Sequence, residues 1–232
     1  MIALKNLKKI KNITLKKKRV LDLGGGRHPL PYATHVIDLS PYSQYQIDSK
    51  LPSKRLDSLD PKFKPRFSKK NWIVHDVCEE KLPFDDKFFD FCFCSHLLED
   101  IRDPIFACKE MIRVSKSGYI ETPSRAREIF SKSRFFRLKS FFGKIPQIGF
   151  YHHRWFVELK NNELIFTAKD GRLYINSERY IKRSELGRKM TEDESALFFF
   201  WNNEFKFKEN FISEDMSELS IFKKQTLKKL QR

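Results

Sequence analysis

Apolar positions along the chain fall into two regimes. Up to about residue 124, short apolar runs alternate with polar or helical stretches. Residues 19–23 form a compact apolar run ending in Gly24-Gly25-Gly26, and residues 35–39 form a second, closing on Asp38. Further strand signals lie at 71–77, 88–95 and 118–122, the last stopped by Pro123. Residues 105–114 carry helical spacing, and residues 40–70 are rich in Pro, Ser and Lys and read as loop with one short helix. Strands alternating with helices or loops predict an α/β fold with a doubly wound, mostly parallel sheet.

At the amino end, Leu4, Leu7 and Ile10 recur at helical spacing among lysines, which predicts a short basic amphipathic helix within residues 1–18. After Pro123 the alternation stops. Residues 125–142 are basic and aromatic with helical character. Residues 155–159 and 164–168 flank Asn161-Asn162 and predict a β-hairpin. Residues 197–201 and 205–211 add strand material, and residues 213–232 form a charged tail read as a terminal helix or a frayed end. The chain thus divides into a basic extension (1–18), a cofactor-binding core (19–124), a lid with C-terminal strands completing the same domain (125–212), and a tail (213–232).

Composition limits the function classes. With 232 residues, 40% of them hydrophobic, the chain can bury one sizeable α/β core. No apolar run approaches the roughly 20 residues that cross a bilayer. Cys78, Cys92, Cys94 and Cys108 have neither disulfide-framework nor zinc-ligand spacing, so a reduced, cytoplasmic protein without a metal is expected. The formal net charge of +16 admits a nucleic acid, a peripheral membrane contact or an anionic acceptor as partner. Abundant Lys, Phe, Ile and Asn also fit an AT-rich coding sequence, and no nucleic-acid-binding motif accompanies the charge.

The chemistry concentrates in the first half. Glycines after a strand let a ligand approach the backbone closely. An acid at the end of the next strand, Asp38, can accept from both hydroxyls of a ribose. The ordered set Val20-Leu21-Asp22-Leu23-Gly24-Gly25-Gly26, Asp38, Asp76-Val77, Leu82-Pro83-Phe84-Asp85, Phe89-Asp90-Phe91, Ser95-His96-Leu97-Leu98-Glu99-Asp100, Asp103-Pro104 and Glu110-Met111-Ile112-Arg113-Val114 resembles class I S-adenosylmethionine-dependent methyltransferases. The resemblance implies that Gly24, Gly25 and Gly26 face the methionine part of the cofactor S-adenosylmethionine and that Asp22 fixes the loop and the amino group. By the same resemblance Asp38 holds the ribose, Asp76 and the Val77 backbone meet the adenine, and Ser95 and His96 border the transferred methyl group.

Two departures from the family pattern stand out. Gly26 is followed by Arg27-His28-Pro29-Leu30-Pro31 rather than a third glycine and a helix, so the first crossover should be a turn, with Arg27 or His28 facing the cofactor carboxylate. Asp100 stands where relatives carry a histidine, which leaves His96, and second His153, as candidate general bases. The basic aromatic residues 131–142 follow the fifth strand and suit a lid over a small-molecule, glycan or lipid-linked acceptor, methylated at O or N. The competing readings are an RNA or DNA methyltransferase and a non-catalytic cofactor-binding protein of the same fold. A nicotinamide dehydrogenase is disfavoured by the missing GxGxxG spacing.

Overall fold

The computed structural model describes residues 4–48, 64–131, 148–174, 176–211 and 217–231, which fall into two compact units. The first takes Met1–Thr122 with Phe198–Lys206, and the second takes Pro123–Leu197 with Phe207–Arg232.

The first unit carries helix α1 (Leu4–Leu15), strands β1 (Val20–Leu23) and β2 (His35–Asp38), helix α2 (Tyr42–Asp48), β3 (Trp72–Val74), β4 (Phe91–Ser95), helix α3 (Pro104–Val114) and β5 (Ser117–Pro123). The sheet order is β3-β2-β1-β4-β5-β8, where β6 is Trp155–Lys160, β7 is Glu163–Ala168 and β8 is Ala196–Asn202. The first five strands pair in parallel, with Leu23 opposite Ile37 and Cys94, and Ser95 opposite Glu121. All four residues of β1 are buried, as a central parallel strand covered on both faces requires. The expected mostly parallel sheet is therefore present, and strand order reverses at β1, between β2 and β4.

Only turns join β1 to β2. His28 N–H donates to the Gly25 carbonyl and Ala33 N–H to Leu30, and no helix forms. Pro29 and Pro31 explain this, since each removes a donor and restricts the residue before it. Helix α3 starts where the sequence permits, with Pro104 in its first turn and the Asp103 carboxylate accepting from Phe106 N–H at 2.8 Å.

Helix α1 buries Ile10 against Val20, Leu30, Tyr32, Phe91, Phe93 and Tyr119, with Leu7 and Ile13 packed alongside. The Arg66 guanidinium holds its carboxyl end, donating to the Thr14 carbonyl at 2.9 Å and the Lys17 carbonyl at 2.9 Å. A cation there also meets the negative end of the helix dipole.

The second unit contains the expected hairpin, β6 paired antiparallel with β7 in a sheet completed by β9 (Lys206–Asn210). Asn161 and Asn162 both take left-handed φ, 50° and 61°, the conformation a tight two-residue turn demands and asparagine tolerates. A separate core gathers Ile129, Ile148, Phe156, Tyr180, Ile181 and Leu219. Of the charged tail, Ser217–Leu230 is a helix. The proposed lid, residues 131–142, lies outside the described residues apart from Ser131.

Candidate functional site

Parallel pairing brings the carboxyl ends of β1, β2, β4 and β5 to one edge of the sheet, and the sequence-predicted residues of the first unit gather there. Gly24 N–H donates to the Ile37 carbonyl at 2.8 Å, and its φ of 77° is left-handed. A Cβ at Gly24 would lie 2.8 Å from Leu97 Cδ1, so the loop and the turn after β4 share one corner. At Gly25 a Cβ would lie 2.7 Å from Val36 Cγ1 and 3.1 Å from Asp22 Oδ2. Glycine is thus required by backbone shape and packing together at Gly24, and by packing at Gly25.

Two carboxylates pin this loop. Asp22, buried in β1, accepts from Leu30 N–H at 2.6 Å and so closes the turn that replaces a helix. Burial pushes its pKa up to about 7, against the Leu30 hydrogen bond and with help from the Asp38 charge. Asp38 accepts from Gly26 N–H at 2.8 Å through Oδ2 and from Ser40 N–H at 2.7 Å through Oδ1. Each oxygen keeps acceptor capacity beyond these bonds. Arg27 and His28 are exposed at the tip of the same loop.

Asp76 follows β3. Its Oδ1 accepts from Cys78 N–H at 2.8 Å, and its Oδ2 lies 3.2 Å from Arg102, which also reaches Glu79 at 3.1 Å. Val77 beside it is buried. Sequence reasoning did not anticipate the Arg102 pairing, because Arg102 belongs to a distant loop.

His96 ends β4 in a left-handed conformation, φ 57°, uncommon for a residue with a Cβ. Its N–H donates to the Glu121 carbonyl at 2.9 Å, joining the ends of β4 and β5. Nδ1 lies 3.0 Å from the buried Glu99 carboxylate, while Nε2 has no hydrogen-bond partner and lies 3.8 Å from buried Glu121. Burial pulls the imidazole pKa down, but the Glu99 hydrogen bond and the Glu99, Glu121 and Asp100 charges outweigh it, and the net shift is upward. Glu121 also accepts from the Tyr119 hydroxyl, which in turn accepts from Asn6 Nδ2 of α1 at 3.0 Å. Ser95 sits immediately before His96, half-buried at the strand end. Glu99 carried no role in the sequence reading and Glu121 was not singled out. Both were recognisable only as acids near a strand end.

His153 belongs to the second unit. Its Nδ1 lies 2.5 Å from buried Glu128, which also pairs with Lys169 at 2.8 Å, and its ring stacks on Phe150 at 4.5 Å. Burial works to raise the Glu128 carboxyl, and His153 with Lys169 more than offsets it, leaving the pKa lowered.

The sheet edge can bind a cation that also bears hydroxyls. It presents Asp22, Asp38, Glu99 and Glu121 beside a half-buried glycine loop, within a chain of net charge +16. The sequence model of the family described as "Methyltransferase domain" matches residues 21–120. Among solved structures, an S-adenosylmethionine-dependent methyltransferase from Mesorhizobium loti matches with 15% identity and a TM-score of 0.37, covering 53% of this chain and 56% of that one. A SAM-dependent methyltransferase from Aquifex aeolicus matches with 18% identity and a TM-score of 0.35, covering 62% of this chain and 84% of that one. The chain therefore spans little more than half the length of the first of these. No curated protein matches.

Proposed function

We propose that this chain, whose residues 21–120 match the family described as "Methyltransferase domain", transfers the methyl group of S-adenosylmethionine to an oxygen or nitrogen of a small-molecule or glycan acceptor. The observation that carries the proposal is the glycine loop held from both sides, by Asp22 through Leu30 and by Asp38 through Gly26. The donor set suits the cofactor. Ionised Asp22 would hold the amino group, Asp38 would accept from the ribose hydroxyls, and Asp76 with the Val77 backbone would meet the adenine edge. Arg27 at the exposed loop tip would face the carboxylate, and Ser95 would border the acceptor. Gly26 leaves the backbone open to the ligand, since a Cβ there would meet nothing nearer than 3.8 Å.

When bound, the cofactor supplies an electrophilic methyl group on a sulfonium. The acceptor's lone pair forms the new bond to carbon, and the sulfur–carbon pair returns to sulfur, giving a neutral thioether. Positioning provides much of the rate in such an in-line displacement. If the acceptor is a hydroxyl or a protonated amine, its proton must leave. We assign that proton to His96, whose Nε2 lacks a partner while Glu99 holds Nδ1. The arrangement keeps the imidazole proton on Nδ1 and the lone pair on Nε2, the logic of a carboxylate–histidine base. We assign no step to His153, whose Nδ1 is committed to Glu128. The basic character of residues 131–142 suits an anionic acceptor such as a phosphorylated glycan.

Thermal unfolding with S-adenosylmethionine, S-adenosylhomocysteine or NAD tests the reading. A ligand at 100 times its dissociation constant adds about 2.7 kcal/mol. Stabilisation by both sulfur nucleosides and none by NAD is expected. A shift with NAD alone refutes the proposal.

A further inference from the structure

The excess positive charge is unevenly distributed. Of the first nineteen residues eight are Lys or Arg and none is acidic, so this stretch supplies half of the net +16. Helix α1 turns Leu7, Ile10 and Ile13 inward and presents Lys5, Lys8, Lys9 and Asn12 outward, with exposed Lys16 just past its end. Lys5, Lys9, Asn12 and Lys16 recur at helical spacing along one stripe. At a rise of 1.5 Å per residue, Lys5 and Lys9 stand about 6 Å apart and Lys9 and Lys16 about 10 Å apart along the axis. Among the described residues, Lys8, Lys9, Lys16 and Lys17 have no carboxylate in ion-pair reach.

The stripe borders a cavity of about 860 Å³. The first residues of β4 and β5, Phe91 and Ser117 with Gly118, line it, so it opens at the end of the sheet opposite the glycine loop. Two more aromatic residues, Phe200 and Trp201, come from β8. Lys9 Nζ lies 3.9 Å above the Phe200 ring, and the buried indole of Trp201 keeps Nε1–H without an acceptor. That indole closes on Gly118, where a Cβ would lie 2.7 Å from its ring, so the packing depends on glycine. A lining rich in ammonium groups, with no acid among its residues, suits an acceptor-rich anion.

We infer that the outer face of α1 and the cavity beside it bind the phosphate backbone of a nucleic acid strand, at a site separate from the cofactor edge. A repeated row of cations matches a repeated row of phosphates, and a lysine side chain meets phosphate as a point charge without needing a fixed geometry. A membrane surface fits less well, because α1 spends its apolar face on the sheet and keeps none to insert among lipids. The site holds a strand without making it the methyl acceptor, since the reacting edge lies at the other ends of the strands. The inference does not depend on the identity of the acceptor.

Fluorescence anisotropy of the whole chain with a labelled single-stranded RNA of about 16 nucleotides tests it. Lys8→Gln, Lys9→Gln and Lys16→Gln together should weaken binding at least about tenfold. They should also flatten the plot of log affinity against log salt by about 2, since each phosphate contact contributes about 0.7. The control removes the same charge from exposed Lys224, Lys228 and Lys229 and should change affinity less than about twofold. RNA should quench tryptophan emission, and Trp201→Phe should remove that quenching while circular dichroism confirms the fold. Equal loss in the control overturns the inference, because net charge alone then explains binding. So does binding to phosphatidylserine vesicles without binding to RNA.

Discussion

The two ends of one sheet carry opposite chemistry. At the carboxyl ends of the strands, Asp22, Asp38, Glu99 and Glu121 surround a glycine loop and a single imidazole. At the amino ends, α1 lays a row of lysines beside a cavity with no acidic lining. The acidic end is mostly buried, and its groups are fixed by backbone donors and by one another. The basic end is exposed, and its charges stand apart. Buried carboxylates change their protonation, as Asp22 does, whereas exposed lysines act through long-range fields that salt screens. Net charge therefore describes this protein poorly: the carboxyl edge of the sheet gathers acids within a strongly cationic chain.

Four measurements can break or sharpen this contrast. The largest effect should come from His96→Asn, which removes the proposed base and should lower kcat by about 100-fold or more for a hydroxyl acceptor. Cofactor affinity should stay nearly constant. In the parent protein the rate should rise with pH to a plateau, with a midpoint above the ordinary 6.5 because the imidazole pKa is raised. A flat profile would remove His96 from proton transfer.

Asp38→Ala should weaken S-adenosylhomocysteine binding by about 100-fold in calorimetry. It removes an ionic acceptor and frees Gly26 N–H, and hydrogen bonds to charged groups are worth about 1.5–3 kcal/mol each. RNA affinity should not follow. Raising salt from about 50 to about 200 mM should do the reverse. For four phosphate contacts it should weaken RNA binding about 50-fold and leave cofactor binding nearly unchanged. Parallel loss of both would mean the two ends are one site.

The last measurement concerns Asp22 and stability. Its folded pKa of about 7 lies above the unfolded value of 3.8. Between these values the folded protein holds a proton that the unfolded chain has released. Its contribution is therefore complete below 3.8 and lost as pH rises through about 7. Urea unfolding should show stability falling across that window by at most about 1.4 kcal/mol per pH unit, and Asp22→Asn should flatten the fall. An unchanged slope would place the proton elsewhere.

Much of the reacting edge was legible because local chemistry dictates it. Gly24 to Gly26 between two apolar runs, acids at Asp22 and Asp38, and prolines at 29 and 31 specify a strand, a tight turn and a second strand without outside help. Asn161-Asn162 likewise fixed the β6–β7 hairpin, and spaced leucines and isoleucine marked α1. The groups that tune the site were not legible. Glu121 meets His96 only because β4 and β5 pair in one register, and Asp76 meets Arg102 only through loop packing. The basic cavity also escaped notice, since it needs β8 brought beside β5 from about eighty positions downstream. The basic helix itself was legible in the lysines of residues 1–18, and folding adds the cavity beside it.

The hydrogen bond from Asn6 to Tyr119 has a practical side. A protein engineer seeking a minimal catalytic fragment would trim the lysine-rich leader and begin at Arg19. That cut would strip the hydroxyl bonded to Glu121 of its second partner and uncover the pocket that Ile10 fills. The leader is both an outside handle and an inside strut, so trimming it should alter turnover as well as solubility.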